Sequence, residues 1–525
     1  MMGTKERNFL SLEDLSLEEL VSEDNFYRRL ERTVDLSFVR ELVRPCYASG
    51  GRPSVDPVVF FRLQLVMFFE DIRSERQLMV VAAHRLSIRW YLGYDLHESL
   101  PDHSSLTKIR ERYGLELFRR FFEEIVELCI EAGLVRGEEL FFDSTKVKAN
   151  ADIDSLASRF LVETHLSGLF EEPWTPEGSG TEPSAGTTDL DALPTVEDEA
   201  LIAANGAKND WISRVGKQDR SFSSGSRKRT SDLRVSRTDP DATSMLLGDG
   251  ETKLGYQTHY MVDGDKARVI LNVLVTPSEV TENRPMLDLL WRTTFRWRLW
   301  PHHVTGDAKY GSAENVAAVE KAGIRAYIVL PKHDKRGPLF GKNEFVYATE
   351  KDLYICPEGE TLRRQGLDYK ERSIRYAARP SACNACPLKT RCTKSKKKGR
   401  WIRRSFDEEY LERVRGYQDT EPYRKALRKR QVWVDPLFGE AKDWHGSRRF
   451  RLRRLEKVNI EALLIAAGQN VKRLLTFGER VPRRPGQVAV LRRPAPNLDK
   501  FCGVCRHRNR RFRCTARVFQ QPDLF

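Results

Sequence analysis

Residues 139–146 read Glu-Leu-Phe-Phe-Asp-Ser-Thr-Lys, and residues 302–307 read His-His-Val-Thr-Gly-Asp. In the first, Leu140, Phe141 and Phe142 form an apolar run that ends in Asp143. The second runs through Val304 and ends in Asp307. Short apolar runs closed by polar residues predict buried strands, here strands that each end in a carboxylate. Between them stand two alternating runs, Tyr256, Thr258, Tyr260, Val262 and Val269, Leu271, Val273, Val275, joined by Asp263-Gly264-Asp265. Alternation across such a turn is a hairpin signal.

Helical periodicity near 283–296 and 312–322 brackets Asp307, and a further strand is expected at 326–330. Strand, hairpin, helix, strand, helix, strand is the order of an RNase H-like α/β core. The expectation is a mixed-sheet catalytic core with carboxylates at the ends of its first and fourth strands.

Upstream, residues 8–131 read as helices. Ser16 with Glu19 and Ser74 with Gln77 match the capping box, and apolar residues recur at helical spacing from Val58 to Phe69 and from Leu115 to Ile130. The turn signals Gly51-Arg52-Pro53 and Pro101-Asp102-His103 divide them into short bundles suited to a helix-turn-helix-like DNA reader. Arg85, Arg89, Lys108, Arg110 and Arg112 are candidate phosphate contacts there, with a solvated helix face as the alternative for each. The expected division is an all-α DNA-binding domain at 1–134, an RNase H-like domain at 135–475 and a basic tail at 476–525. Two insertions interrupt the core. Residues 153–235, rich in Gly, Ser, Thr, Pro and acidic side chains, have the composition of a poorly ordered segment, and 335–425 carries a cysteine module.

The 525 residues carry 89 Lys and Arg against 75 Asp and Glu, a formal charge of +14 concentrated in the last third. That balance suits a polyanionic partner, but basic composition alone does not select nucleic acid. No apolar run reaches the ~18 residues of a membrane span, and the first 20 residues lack a cationic stretch followed by an apolar one. The chain reads as cytoplasmic, associated with the nucleoid, with no membrane contact. Nine cysteines, six of them in two tight groups, suit metal binding better than a disulfide framework.

The blocks FFDSTKVKANAD around Asp143, TGDAKYGSAENV around Asp307 and WVDPLFGEAKDWHGSRRFRLRRLEKVNIEALLIAAGQNVKRLL resemble those of DDE insertion-sequence transposases. GRPSVDPVVFFRLQLVMFF, RSERQL, RWYLGYDL and PDHSSLTKIRERYG resemble the InsH-type N-terminal domain of that family, and SRTDPDA and KLGYQTHYMVD its core. The blocks are spread over about residues 20–475. The resemblance implies three acidic residues holding two divalent ions, Mg2+ or Mn2+, for in-line displacement at phosphorus. Asp143 is then the bridging ligand and Asp307 the second.

The third position departs from the family pattern. Where relatives carry Glu in a block like VEPLF with a Lys downstream, this chain has Asp435, with Lys442 at the Lys position, and Asp is shorter by one methylene, about 1.5 Å. Glu440 is the fallback. At 3.6 residues per turn, position 442 falls within about 20° of 435, whereas 440 lies about 140° away, beside the stripe of Leu437, Phe438, Ala441 and Trp444. Asp435 is therefore preferred, with Lys442 as a DNA-phosphate contact. A structural role for Asp435 as N-cap before Pro436 is the rival reading.

Cys356, Cys383, Cys386 and Cys392 have the spacing of a closed tetrahedral structural Zn2+ site, a module that recurs in related transposases; spectator thiols and an iron–sulfur cluster are the alternatives. In the tail, Cys502, Cys505, His507 and Cys514 allow a second zinc site or a basic arm. Lys396, Lys397, Lys398, Arg400, Arg403 and Arg404, then Arg448, Arg449, Arg451, Arg453 and Arg454, are candidate DNA contacts, with Trp401, Trp433 and Trp444 interleaved for base stacking.

The leading reading is a transposase that binds terminal inverted repeats, cuts at them and joins the ends to target DNA, as a homodimer in the DNA complex. The alternatives are a catalytically decayed DNA-binding protein derived from a transposase, and a metal-dependent nuclease that cleaves without joining.

Overall fold

The computed structural model describes residues 16–48, 50, 54–158, 234–331 and 339–478. Cys502, Cys505, His507 and Cys514, most of the 153–235 segment and nearly all of the tail lie outside the described residues.

The central sheet is built from β1 (Glu139–Lys148), β2 (Thr252–Asp263), β3 (Ile270–Pro277), β4 (His303–Gly306) and β5 (Arg325–Ile328), in the spatial order β3-β2-β1-β4-β5. β1, β2 and β3 are antiparallel neighbours, whereas β1, β4 and β5 run parallel. A short strand, Thr243–Leu246, pairs with the start of β2. This is the RNase H-like mixed sheet, and its hairpin and crossover order follow the periodicities of the sequence.

One expectation needs correction. β1 does not end at Asp143 but continues for five residues, because Ser144 to Lys148 keep pairing with β2 as far as Lys148↔Gly255. What stops near the carboxylate is the pairing on the other side, whose last partners are Phe141↔Thr305. The polar run Ser144-Thr145-Lys146 looks like an exit from the sheet, yet it is a strand half released from it.

Among the described residues, seven α-helices precede β1: α1 (Leu17–Leu20), α2 (Phe26–Thr33), α3 (Phe38–Val43), α4 (Pro57–Phe69), α5 (Glu75–His84), α6 (Leu86–Leu92) and α7 (His103–Glu131). Asp56 caps α4 with Pro57 at its first position, and Ser74 caps α5 by accepting from the Gln77 amide. The sheet is flanked by α8 (Met286–Trp297) and α9 (Ala313–Lys321).

The insertion forms its own antiparallel sheet of β6 (Val346–Ala348), β7 (Leu353–Ile355), β8 (Thr361–Asp368), β9 (Ser373–Ala378) and β10 (Trp401–Ser405), with the short helices α10 (Pro380–Ala385) and α11 (Lys389–Cys392). Phe345, Tyr354, Leu362, Tyr376 and Ile402 make its small core. The chain returns through α12 (Glu408–Tyr417), α13 (Glu421–Trp433) and α14 (Asp435–Trp444) to α15 (Leu455–Phe477).

α15 is buried along most of its length because it packs against α4 and α7 on one side and β3 on the other. It also closes the sheet edge. Asn459 exchanges two hydrogen bonds with the Val275 backbone, at 2.8 and 3.0 Å, and Asn470 two with Ile270, at 2.9 and 2.8 Å. The two lengths match: eleven helical residues and five strand residues both span roughly 16 to 17 Å. Two amides thereby pair edge groups of β3 that would otherwise stay open. Through α15, the amino-terminal helices and the sheet share one continuous core running from Tyr27 to Leu474. Among the described residues no helix is long and apolar enough to cross a membrane.

Candidate active site

The β1–β4 register pairs Glu139 with His303 and Phe141 with Thr305. Carried two residues on, it sets Asp143 level with Asp307, which follows directly after β4. Asp307 begins a short 3-10 turn and accepts the Lys309 amide at 2.9 Å. Asp143 is buried, and the Ser144 amide donates to its Oδ1 at 2.8 Å.

Asp435 comes to the same place from the other side. It is the first residue of α14, after Val434, and its carboxyl shares the Arg430 guanidinium with Asp143. The N-cap reading is corrected here: Val434 holds the cap position, Pro436 falls second in the helix and no side chain caps it. Arg430, from the last turn of α13, donates to Asp143 Oδ2 at 2.8 Å and lies 3.9 Å from Asp435 Oδ1. Burial pushes the Asp143 carboxyl up to about 7; Arg430 pulls the other way, and Asp435 adds to the rise.

Glu440 is elsewhere. It accepts from Lys472 at 2.6 Å and from Arg473 at 2.7 Å, both on α15, and a further contact comes from Gln469. Burial opposes its charge, but His445, Arg473 and Lys472 hold the carboxyl far below the usual range. Leu437, Phe438 and Ala441 form the buried stripe, whereas Trp444, expected with them, is 69% exposed.

Lys442 lies on the carboxylate side, where its Nζ donates to Thr145 Oγ1, two residues along β1 from Asp143. Burial, and then Arg448, lower its pKa. Of the arginines that follow, Arg448, Arg449 and Arg453 are exposed. Arg451 is mostly covered, and its guanidinium pairs with Glu75 of α5 at 3.1 Å. The expectation of a DNA contact at Arg451 is therefore revised to a tie between α5 and the loop after α14. Arg89 and Arg110 are revised likewise. Arg89 is buried and donates to the Glu98 carbonyl at 2.6 Å, while Arg110 is buried against Glu75. Trp433 is engaged through Nε1 with the Asp265 carbonyl at 2.7 Å.

Two residues of this cluster carry no mark in the sequence. Glu282, in the connection between β3 and α8, is buried, accepts from Ser144 Oγ at 2.7 Å and pairs with Lys309. Arg430 is one of five basic residues between Arg424 and Arg430, and periodicity does not show which turns inward.

Oxygen donors of this kind suit a hard divalent cation, and Mg2+ is commonly held by one or two carboxylates together with substrate phosphates. Asp143 and Asp435 meet that description, with Arg430 standing where a cation would offset their charge. Among the described residues, no three His, Cys, Asp or Glu side chains converge closely enough to ligate one ion. In the cysteine module, burial raises the Cys392 thiol, Arg400 lowers it, and Cys383, Cys356 and Cys386 add to the rise; Cys356, Cys383 and Cys392 pack against the small core of the insertion. The Arg400 amide donates to Cys383 Sγ at 3.4 Å.

An RNase H-like sheet with Asp143 on β1 and Asp307 directly after β4 sets the fold class. Comparison with family models narrows it. Residues 15–112 match the model described as Transposase domain (DUF772), and residues 355–475 match the Transposase DDE domain. These two matches, one at each end of the described chain, support an insertion-sequence DDE transposase. No curated protein and no solved structure gives a significant match.

Proposed function

We propose that this protein cleaves DNA at the terminal inverted repeats of its own element and joins the freed 3′-ends to target DNA, with Asp143, Asp307 and Asp435 as the metal-binding carboxylates. The observation that carries the reading is the single Arg430 guanidinium shared by Asp143 and Asp435 beside the β1–β4 junction. Two bound Mg2+ or Mn2+ ions would supply activation of the attacking oxygen and stabilisation of the leaving one. The chain's own part is to position and to balance charge. Asp143 is fixed by its strand, Asp435 by the start of α14, and Asp307 by the turn it caps. Lys442 is suited to a phosphate next to the reacting one. The exposed Arg448, Arg449 and Arg453 suit DNA further along. Cys356, Cys383, Cys386 and Cys392 would hold a structural Zn2+, and a homodimer would hold two element ends.

Strand transfer by purified protein on labelled DNA from the flanks of its coding region, with Mg2+ or Mn2+, tests this. Joined products from wild type that vanish in Asp143→Asn support it. Tight end binding with no metal-dependent product would instead identify a decayed DNA-binding derivative.

A further inference from the structure

α14 and the loop behind it follow β1 in one direction. Asp435 stands by Asp143, and Lys442 by Thr145. The loop then reaches the end of the strand, where the Lys148 amide donates to the Arg448 carbonyl at 3.1 Å and the Phe450 amide to the Lys148 carbonyl at 2.8 Å.

This loop is held from beneath by three buried carboxylates. Glu461 accepts the amides of Arg451 at 3.0 Å and Leu452 at 2.9 Å. Asp239 accepts the Arg454 amide at 2.9 Å, and Asp241 that of Leu455 at 2.8 Å. Arg454 has φ of 73°, a conformation that L residues disfavour and that persists only when its surroundings enforce it. Asp239 and Asp241 belong to the Ser-Arg-Thr-Asp-Pro-Asp-Ala stretch at 236–242, to which the catalytic cluster assigns no part.

Above this support two guanidiniums are anchored by their inner nitrogens on consecutive carbonyls. Arg449 Nε donates to Ala149 O at 3.1 Å and its Nη2 to Asn150 Oδ1 at 3.3 Å, and Arg453 Nε donates to Asn150 O at 3.0 Å, while both residues remain exposed. Arg448 differs, being paired with Asp443.

We propose that Arg449 and Arg453 form a preset clamp for one DNA phosphate about five base pairs from the phosphodiester at the carboxylates, and that Asp239, Asp241 and Glu461 are the residues that position it. A strand rises ~3.3 Å per residue, so Asp143 to Lys148 spans about 17 Å, which is about five steps of the ~3.4 Å rise of B-DNA. Arg453, tethered at Nε, presents its outer edge to phosphate and Arg449 its Nη1, and a loop already fixed loses little freedom on binding. The proposal rests on the transposase reading above.

The test uses the full chain and a duplex covering one element end, with a single uncharged methylphosphonate moved one position at a time and binding read by gel shift. Wild type is expected to lose about tenfold in affinity when the neutral linkage lies four to six positions from the terminal base pair. Arg449→Gln/Arg453→Gln should bind the unmodified duplex about tenfold more weakly, ignore substitution in that window and stay sensitive elsewhere. The slope of log affinity against log salt should be shallower by about 1, as for one lost phosphate contact. Asp239→Asn and Glu461→Gln, checked for folding by circular dichroism, should show the same local indifference, which general destabilisation does not produce. A double variant that keeps the penalty in that window, or a wild type that binds but shows none there, overturns the proposal. A wild type that does not bind the end duplex overturns the transposase reading instead.

Discussion

Arg430 joins Asp143 and Asp435 through a single guanidinium, 2.8 Å from one carboxylate and 3.9 Å from the other. The two acids come from a strand and a helix far apart in the chain, and their carboxylates repel one another whenever both are ionised. Removing the buried cation leaves that repulsion uncompensated.

The first prediction follows from this pair. Arg430→Gln should lower the stability of metal-free protein by about 3 kcal/mol, the usual scale for breaking a buried ion pair on one side. Mn2+ should then raise the melting temperature of the variant more than that of wild type, because the ion takes over the charge. Equal Mn2+ shifts in the two proteins would show that Arg430 does not occupy the cation's place.

Asp435 and Glu440 should separate cleanly. Glu440 binds Lys472 and Arg473, and Arg473 is itself nearly covered, so Glu440→Gln should cost about 3 kcal/mol of stability while activity per folded molecule is kept. Asp435, whose side chain is 55% exposed, should behave in the opposite way: Asp435→Asn leaves the melting temperature nearly unchanged and abolishes strand transfer. Asp435→Glu restores the reach of about 1.5 Å that the shorter side chain lacks and should increase joined product. Thermal melts and strand-transfer gels on the three variants decide this. Loss of transfer in Glu440→Gln with retention in Asp435→Asn would reverse the assignment.

The sheet was legible because its signals are local. Alternation across Tyr256–Val275 and the apolar runs before Asp143 and Asp307 depend only on neighbours in the chain. The face shared by Asp435 and Lys442 was legible for the same reason, as helical geometry fixes it. What escaped depends on contacts across hundreds of residues. Arg451 looked like one more surface arginine because its partner, Glu75, lies on another helix, and Glu282 looked like any loop acid because Ser144 and Lys309 are distant in sequence. Trp444 shows the reverse error, since a helical stripe does not reveal where its cover ends.

The cysteine module offers a third prediction. Its sheet has a small core of its own, so a bound Zn2+ would supply much of its order. Purified protein should carry about one zinc per chain by elemental analysis. Chelation should expose residues 346–405 to proteolysis while the central sheet stays protected. A zinc-free protein with an equally resistant module would leave the thiols as ordinary side chains.

The last prediction concerns pH. His259 on β2 is buried, with Nε2 3.0 Å from Thr276 Oγ1, and burial lowers its pKa to about 4 against the pull of Glu282. In the unfolded chain it titrates near 6.5, so between about 4 and 6.5 the native state binds fewer protons than the unfolded one. The stability it contributes is fully present above about 6.5 and is lost as pH falls toward 4. His303, also lowered to about 4 by burial, acts in the same direction, whereas Asp263, raised to about 6 by burial, gains stability as pH falls. Comparison with His259→Gln cancels both, because each is present in both proteins. The stability advantage of wild type over this variant should shrink by about 2 kcal/mol between pH 7 and pH 5, at about 1.4 kcal/mol per unit below 6.5. Denaturant titrations at pH 7, 6 and 5 measure it, and a constant difference would mean that His259 accepts a proton in the folded protein as readily as in the unfolded chain.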